Sequence, residues 1–151
     1  MRALVQRVHW AQVEVAGQVV GRIEKGLLVY LGIAVDDRLE DALAMAQKLA
    51  GLRVFEDEQG KINLSVRDAR GGVLAISNFT LLADARKGRR PTFDAAAPAA
   101  AAEPIHEHFV RELRSLCDSV ACGVFGAEMT ISSAAAGPVN VVIDLPPGVP
   151  K

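Results

Sequence analysis

Two rhythms of apolar and polar positions run along this chain. From Arg2 to Val8 apolar and polar side chains alternate, and Val13 and Val15 carry the alternation on to Gly17, the period-2 pattern of a half-buried strand. Gly17 suits a tight hairpin, with Val19, Val20 and Ile23 on the partner strand, and Lys25-Gly26 offers a second turn. Leu27 to Ile33 is almost continuously apolar, as in a central strand covered on both faces. Leu39, Ala42, Leu43, Ala46 and Leu49 recur at helical spacing and predict an amphipathic helix over 38–50. Asp36 and Asp37 are its N-cap candidates, and Glu40 completes a capping box with Asp37. Leu52 to Phe55 predicts a short strand, 56–61 a polar turn, and Val73 to Leu82 a strand opened by Gly71-Gly72. Ile105, Phe109, Leu113 and Leu116 mark a second helix, in which Pro104 stands at the first turn or kinks a longer helix begun near Pro98. Ala127–Ser132 and Val139–Leu145 predict the closing strands, and 146–151, rich in proline, is expected to be a flexible tail. Strands outnumber helices and tight turns join several of them. The pattern therefore predicts one α+β domain over 1–145, with a curved, largely antiparallel or mixed sheet and two main helices.

Composition narrows the partners. The chain has 151 residues, half of them hydrophobic, which is globular rather than disordered. A formal net charge of −1 argues against wholesale coating of nucleic acid but leaves room for a local basic patch. The longest apolar stretch, Gly26 to Val35, falls well short of the roughly 20 residues of a membrane span. Arg2 and Arg7 break any signal-like apolar start, so the expected location is the cytoplasm, with no membrane partner. Cys117 and Cys122 make no disulfide framework. His106 and His108 diverge on a helix and His9 lies far away, so neither a metal nor a cofactor is expected.

Four segments carry possible chemistry. Ser77-Asn78-Phe79-Thr80-Leu81 sets polar side chains into an apolar strand, either as ordinary strand residues or as donors facing a pocket. No His is near in sequence and the Gly-x-Ser-x-Gly elbow is absent, which argues against a serine-hydrolase triad. Arg86, Lys87, Arg89 and Arg90 lie on a Gly/Pro loop, either as solvated surface or to neutralise phosphates. Ala135 to Val139 contains Gly137-Pro138, either a plain turn between two strands or a rigid wall offered to a ligand. Arg7 shares a face with Ala3 and Val5, as an edge residue or paired with carbonyls or a carboxylate.

Taken together, these residues resemble the D-aminoacyl-tRNA deacylases over 1–145. The likeness rests on Met1 to Val8, Gly26 to Val29, Gly60 to Ser65, Lys87 to Pro91 and Phe125 to Met129. It rests also on Ser77 to Leu81 against the family's Ser-Gln-Phe-Thr-Leu, and on Gly137-Pro138 within its Asn-x-Gly-Pro-Val-Thr. Asn78, Ala135 and Asn140 depart from those signatures, which bears on substrate range and rate. The resemblance implies a homodimer with active sites at the interface, hydrolysing D-aminoacyl-tRNA and glycyl-tRNA while sparing L-aminoacyl-tRNA. It implies Ser77, Asn78, Phe79 and Thr80 as the catalytic segment, with amides around Phe79 and Thr80 as oxyanion donors and the tRNA 2′-OH helping to activate water. The partner's Gly137-Pro138, joined by a cis bond, would be the chiral filter, with Arg7 and Met129 supporting the site. Arg86, Lys87, Arg89 and Arg90 would meet the tRNA acceptor end. DNA is not expected as a partner. The competing readings are a sibling deacylase of altered specificity and a tRNA-binding module without turnover.

Overall fold

The computed structural model describes residues 1–148. The opening alternation forms one continuous 14-residue strand, β1 (Arg2–Val15), rather than two pieces. Ala16 and Gly17 follow with positive φ of 50° and 77°, and the chain returns as β2 (Gln18–Ile23), with Val15 opposite Gln18. Two central residues at positive φ match the twist of the flanking strands, which is why the hairpin closes in two residues. Next come β3 (Gly26–Gly32), α1 (Leu39–Ala50), β4 (Phe55–Glu56), β5 (Ile62–Leu64) and β6 (Gly72–Ser77). The chain ends with α2 (Ala99–Leu116), β7 (Val120–Cys122) and β8 (Thr130–Asp144).

The main sheet runs β2-β1-β3-β6-β7, with β8 also paired to β1. β1 is antiparallel to β2, β3 and β8, whereas β3–β6 and β6–β7 are parallel, so the sheet is mixed. It curls until its ends meet. A Cβ on Gly21 of β2 would lie 2.9 Å from the Cys122 carbonyl oxygen of β7, so only glycine permits that approach. The apolar run of β3 is covered on both faces, as its sequence predicts. Leu27, Val29 and Leu31 meet Met45 and Leu49 of α1 and Phe109 and Leu113 of α2 in one cluster. Leu28 instead joins Val8, Val13, Leu74 and Ile76 in a second cluster, inside the curl.

Several boundaries differ from the sequence expectations. The helix α1 starts after Arg38, whose N–H donates to Asp41 Oδ2 at 2.9 Å, so Asp41 replaces Glu40 as the carboxylate that reaches back. Asp37 is occupied elsewhere: its carboxylate accepts from the Met1 ammonium at 2.7 Å and the Ala34 N–H at 2.6 Å. The second helix begins after Pro98 and keeps Pro104 inside it, which selects the longer of the two expected forms. The strand expected over 73–82 ends at Ser77, and Phe79–Leu82 form a 3-10 turn. The closing strands expected on either side of Gly137-Pro138 are one strand, β8. The strand expected over 52–55 is the two-residue β4, and β5 and β7 have no counterpart among the expected elements. In the expected tail, the Gly148 N–H donates to Asp41 Oδ1 at 2.8 Å, and 149–151 lie outside the described residues. Among the described residues no helix is long and apolar enough to cross a membrane.

Candidate active site

The polar pentapeptide sits where the parallel strands β3 and β6 end, the end of a parallel sheet at which ligand crevices form. A cleft of about 460 Å³ opens there. Leu31 and Ile33 line it from the end of β3, Ser77, Asn78 and Phe79 from the end of β6, and Met129 from the segment before β8. Ala97, Ala99 and Ala102 form another wall. Sequence reasoning does not single out this wall; its one signal is the smallest side chains clustered at a helix start, where they leave space for a ligand.

Asn78 stands at the entry to the turn. Its N–H donates to the Leu31 carbonyl at 2.8 Å, and its side-chain Oδ1 accepts from the Thr80 N–H at 3.1 Å and from the Thr80 hydroxyl. Asn favours this local ring over a continued strand because its side chain reaches the amide two residues on. Phe79 is exposed beside the cleft, its ring edge-on to Phe93 with centroids 5.1 Å apart. The Phe79 N–H makes no hydrogen bond among the described residues. No titratable side chain of the described residues lines the cleft. His106 lies behind the wall, its ring 5.7 Å from that of Phe125, and burial pushes its pKa down to about 4. It is buried and does not line the cleft, so no side-chain base faces the space.

Gly137-Pro138 lies elsewhere on the same chain. Gln6 pairs with Asn140 and Val8 with Ala135, so residues 136–139 of β8 bulge opposite the single residue Arg7 of β1. The peptide bond is cis, and Gly137 has φ of 121°. Arg7 Nε donates to the Ala136 carbonyl at 3.1 Å and Nη1 to the Val54 carbonyl at 2.7 Å, with Glu56 Oε1 at 3.8 Å from Nη2. The pairing that sequence left open is thus with carbonyls and a carboxylate. A Cβ on Gly137 would sit 3.0 Å from Arg7 Nη2, a tight contact, and the φ of 121° is one that L side chains rarely adopt. Gly137 and Pro138 are both exposed, and neither lines the cleft of its own chain.

The basic loop hangs from a pair of main-chain bonds between Asp84 and Thr92, each 2.9 Å. Arg86 is already engaged: its Nη2 donates to Asp84 Oδ2 at 2.6 Å and its Nε to Oδ1 at 2.9 Å. That hydrogen bonding holds the Asp84 carboxyl at about 2. Lys87, Arg89 and Arg90 are exposed at the tip.

Residues 4–144 match the family model described as D-Tyr-tRNA(Tyr) deacylase. The chain belongs to this deacylase family. A Rhodopirellula baltica protein named D-aminoacyl-tRNA deacylase is 50% identical over 145 residues, 96% of this chain and 100% of that one. The solved "c-Myc DNA Unwinding Element Binding Protein" superposes with a TM-score of 0.92 at 38% identity, over 97% of this chain and 99% of its own. A solved "probable eukaryotic D-amino acid tRNA deacylase" shares the fold with a TM-score of 0.83 at 16% identity, over 95% and 98% of the two chains. In this deacylase chain, then, Ser77, Asn78, Phe79 and Met129 meet at one cleft, while Arg7 with Gly137-Pro138, and the basic loop, form two separate features.

Proposed function

We propose that this chain carries out its family's reaction, hydrolysis of the ester of D-aminoacyl-tRNA to free amino acid and tRNA, by positioning and main-chain donors rather than by a covalent nucleophile. The observation that carries the reading is a cleft lined by Ser77, Asn78 and Phe79 with no titratable side chain among its lining residues. A Thr80 nucleophile would need a base in reach, and the Thr80 hydroxyl faces only the neutral Asn78 carboxamide. The ester carbonyl lies at the Phe79 amide, with the Thr80 amide beside it. Water adds to it with help from the neighbouring ribose 2′-OH, the amides hold the oxyanion, and the ester C–O bond breaks to return the ribose hydroxyl. No cofactor takes part.

Stereochemistry is supplied by a second copy. Gly137-Pro138 is exposed, held in shape by Arg7 and absent from its own cleft, which fits a wall presented to a partner's site in a two-fold homodimer. There it crowds the space of an L side chain, rejecting rather than recognising. Lys87, Arg89 and Arg90 meet phosphates of the acceptor end, with Arg86 joining once released from Asp84. The functional unit is the single domain 1–145, working in the cytoplasm where aminoacyl-tRNA is used. The test is single-turnover deacylation of D-tyrosyl-, glycyl- and L-tyrosyl-tRNA. The first two are hydrolysed and the third is spared; comparable rates on both tyrosyl enantiomers would refute the filter.

A further inference from the structure

The amide of Thr80, which the proposed mechanism assigns to the oxyanion, already has an acceptor. Asn78 Oδ1 takes both the Thr80 N–H, at 3.1 Å, and the Thr80 hydroxyl. We propose that Asn78 is an internal stand-in for the oxyanion, a positioning residue that keeps the second donor occupied until negative charge develops on the substrate and displaces it. This rests on the main-chain reading above and sets how that site is regulated.

The side chain does this without being needed to hold the turn. The Asn78 N–H is fixed to the Leu31 carbonyl at 2.8 Å, the Leu81 N–H to the Asn78 carbonyl at 3.3 Å, and the Ala83 N–H to the Thr80 carbonyl at 3.1 Å. The carboxamide also lines the cleft and is partly exposed, so it has space to rotate away. The exchange is selective for the transition state. A ground-state ester carbonyl is as neutral as the carboxamide and gains nothing by replacing it. An oxyanion makes hydrogen bonds roughly twice as strong as neutral ones and wins the donor. Asn78 therefore lowers the rate of the chemical step and leaves substrate binding alone. Asn suits this role through its reach, since its oxygen closes a ring onto the amide two residues on, and one more methylene spoils that ring.

The experiment is single-turnover deacylation of D-aminoacyl-tRNA by the full chain and by Asn78→Ala, Asn78→Gln and Asn78→Asp across a pH series. Asn78→Ala and Asn78→Gln raise the rate constant roughly two- to tenfold, the value of one released hydrogen bond, with half-saturation unchanged. Asn78→Asp is slower than the parent, because a carboxylate grips the amide and repels the oxyanion. Its rate relative to the parent recovers as pH falls through the carboxyl titration, a limb that a purely structural role does not produce. Unchanged or slower rates for both Asn78→Ala and Asn78→Gln overturn the proposal. Thr80→Ala, made with Asn78 in place, tests the underlying reading separately. Hydrolysis within about tenfold of the parent supports main-chain donors, whereas abolished hydrolysis or an acyl group trapped on Thr80 removes them, whatever position 78 does.

Discussion

Arg7 is a charged side chain on a strand face otherwise given to Ala3 and Val5, and its guanidinium ties three segments together. It donates to Ala136 in β8 and to Val54 before β4, and lies near Glu56. Removing it strands two carbonyls and unsupports the bulge. Arg7→Ala is expected to cost about 1.5–3 kcal/mol of stability, the value of hydrogen bonds to a charged group, and to raise L-aminoacyl hydrolysis relative to D. Urea unfolding and the ratio of the two rates check it; a destabilised variant with unaltered selectivity would detach Arg7 from the filter. In sequence Arg7 is conspicuous through its odd placement, but its partners lie 47 and 129 positions away and leave no local sign. Asn78 is harder to read. Phe79, Leu81 and Leu82 extend the apolar run, so the pattern favours a strand to Leu82, but main-chain bonds from Leu81 to Asn78 and from Ala83 to Thr80 close a 3-10 turn that no period announces.

Among the elements, legibility tracks length. The helix α1, the strand β3 and the hairpin at Gly17 have enough residues for a period to show, whereas β5 and β7, three residues each, span barely one alternation. Pro138 reads as a break between strands because proline ordinarily leaves a sheet. Here the bulge against Arg7 takes it out of the ladder without ending β8. The basic loop is visible from charge alone, but not the Asp84 carboxylate that engages Arg86. Its members should consequently differ. Lys87→Ala and Arg89→Ala are each expected to lower the salt slope of tRNA binding by roughly 0.7–0.9, whereas Arg86→Ala lowers it by less, since Asp84 already competes for that cation. Binding titrations over a series of salt concentrations measure this; an equal or larger effect of Arg86 would mean the phosphate displaces Asp84 outright.

At the scale of the whole molecule, the α+β class, the two helices and the mixed sheet follow from counting elements, but the curl does not. It brings Gly21 against Cys122, a contact between distant segments that leaves no periodic trace. Assembly is the remaining expectation at this scale. The cleft and the Gly137-Pro138 bulge are separate features of one chain, so the proposed filter calls for a second copy, and Val142 near the bulge exposes 60% of its surface. Light scattering at micromolar concentration is expected to give twice the chain mass. A monomer that still discriminates between enantiomers would rule out a wall donated in trans.

The bulge also restricts how the proposed filter can be altered. On its C-terminal side Val139, Val141 and Ile143 pack against the core at alternate positions, while β1 continues to pair with β8 on both sides. Adding or deleting one residue between Ala136 and Val139 must either distort the bulge that Arg7 supports or turn those three side chains outward, because each step along a paired strand reverses its facing. Surface loops absorb length changes readily, but this segment is spliced into the sheet and does not have that freedom. Its tolerance in mutational libraries should be for exchanges that preserve length, with insertions and deletions lost to misfolding before they reach the question of handedness.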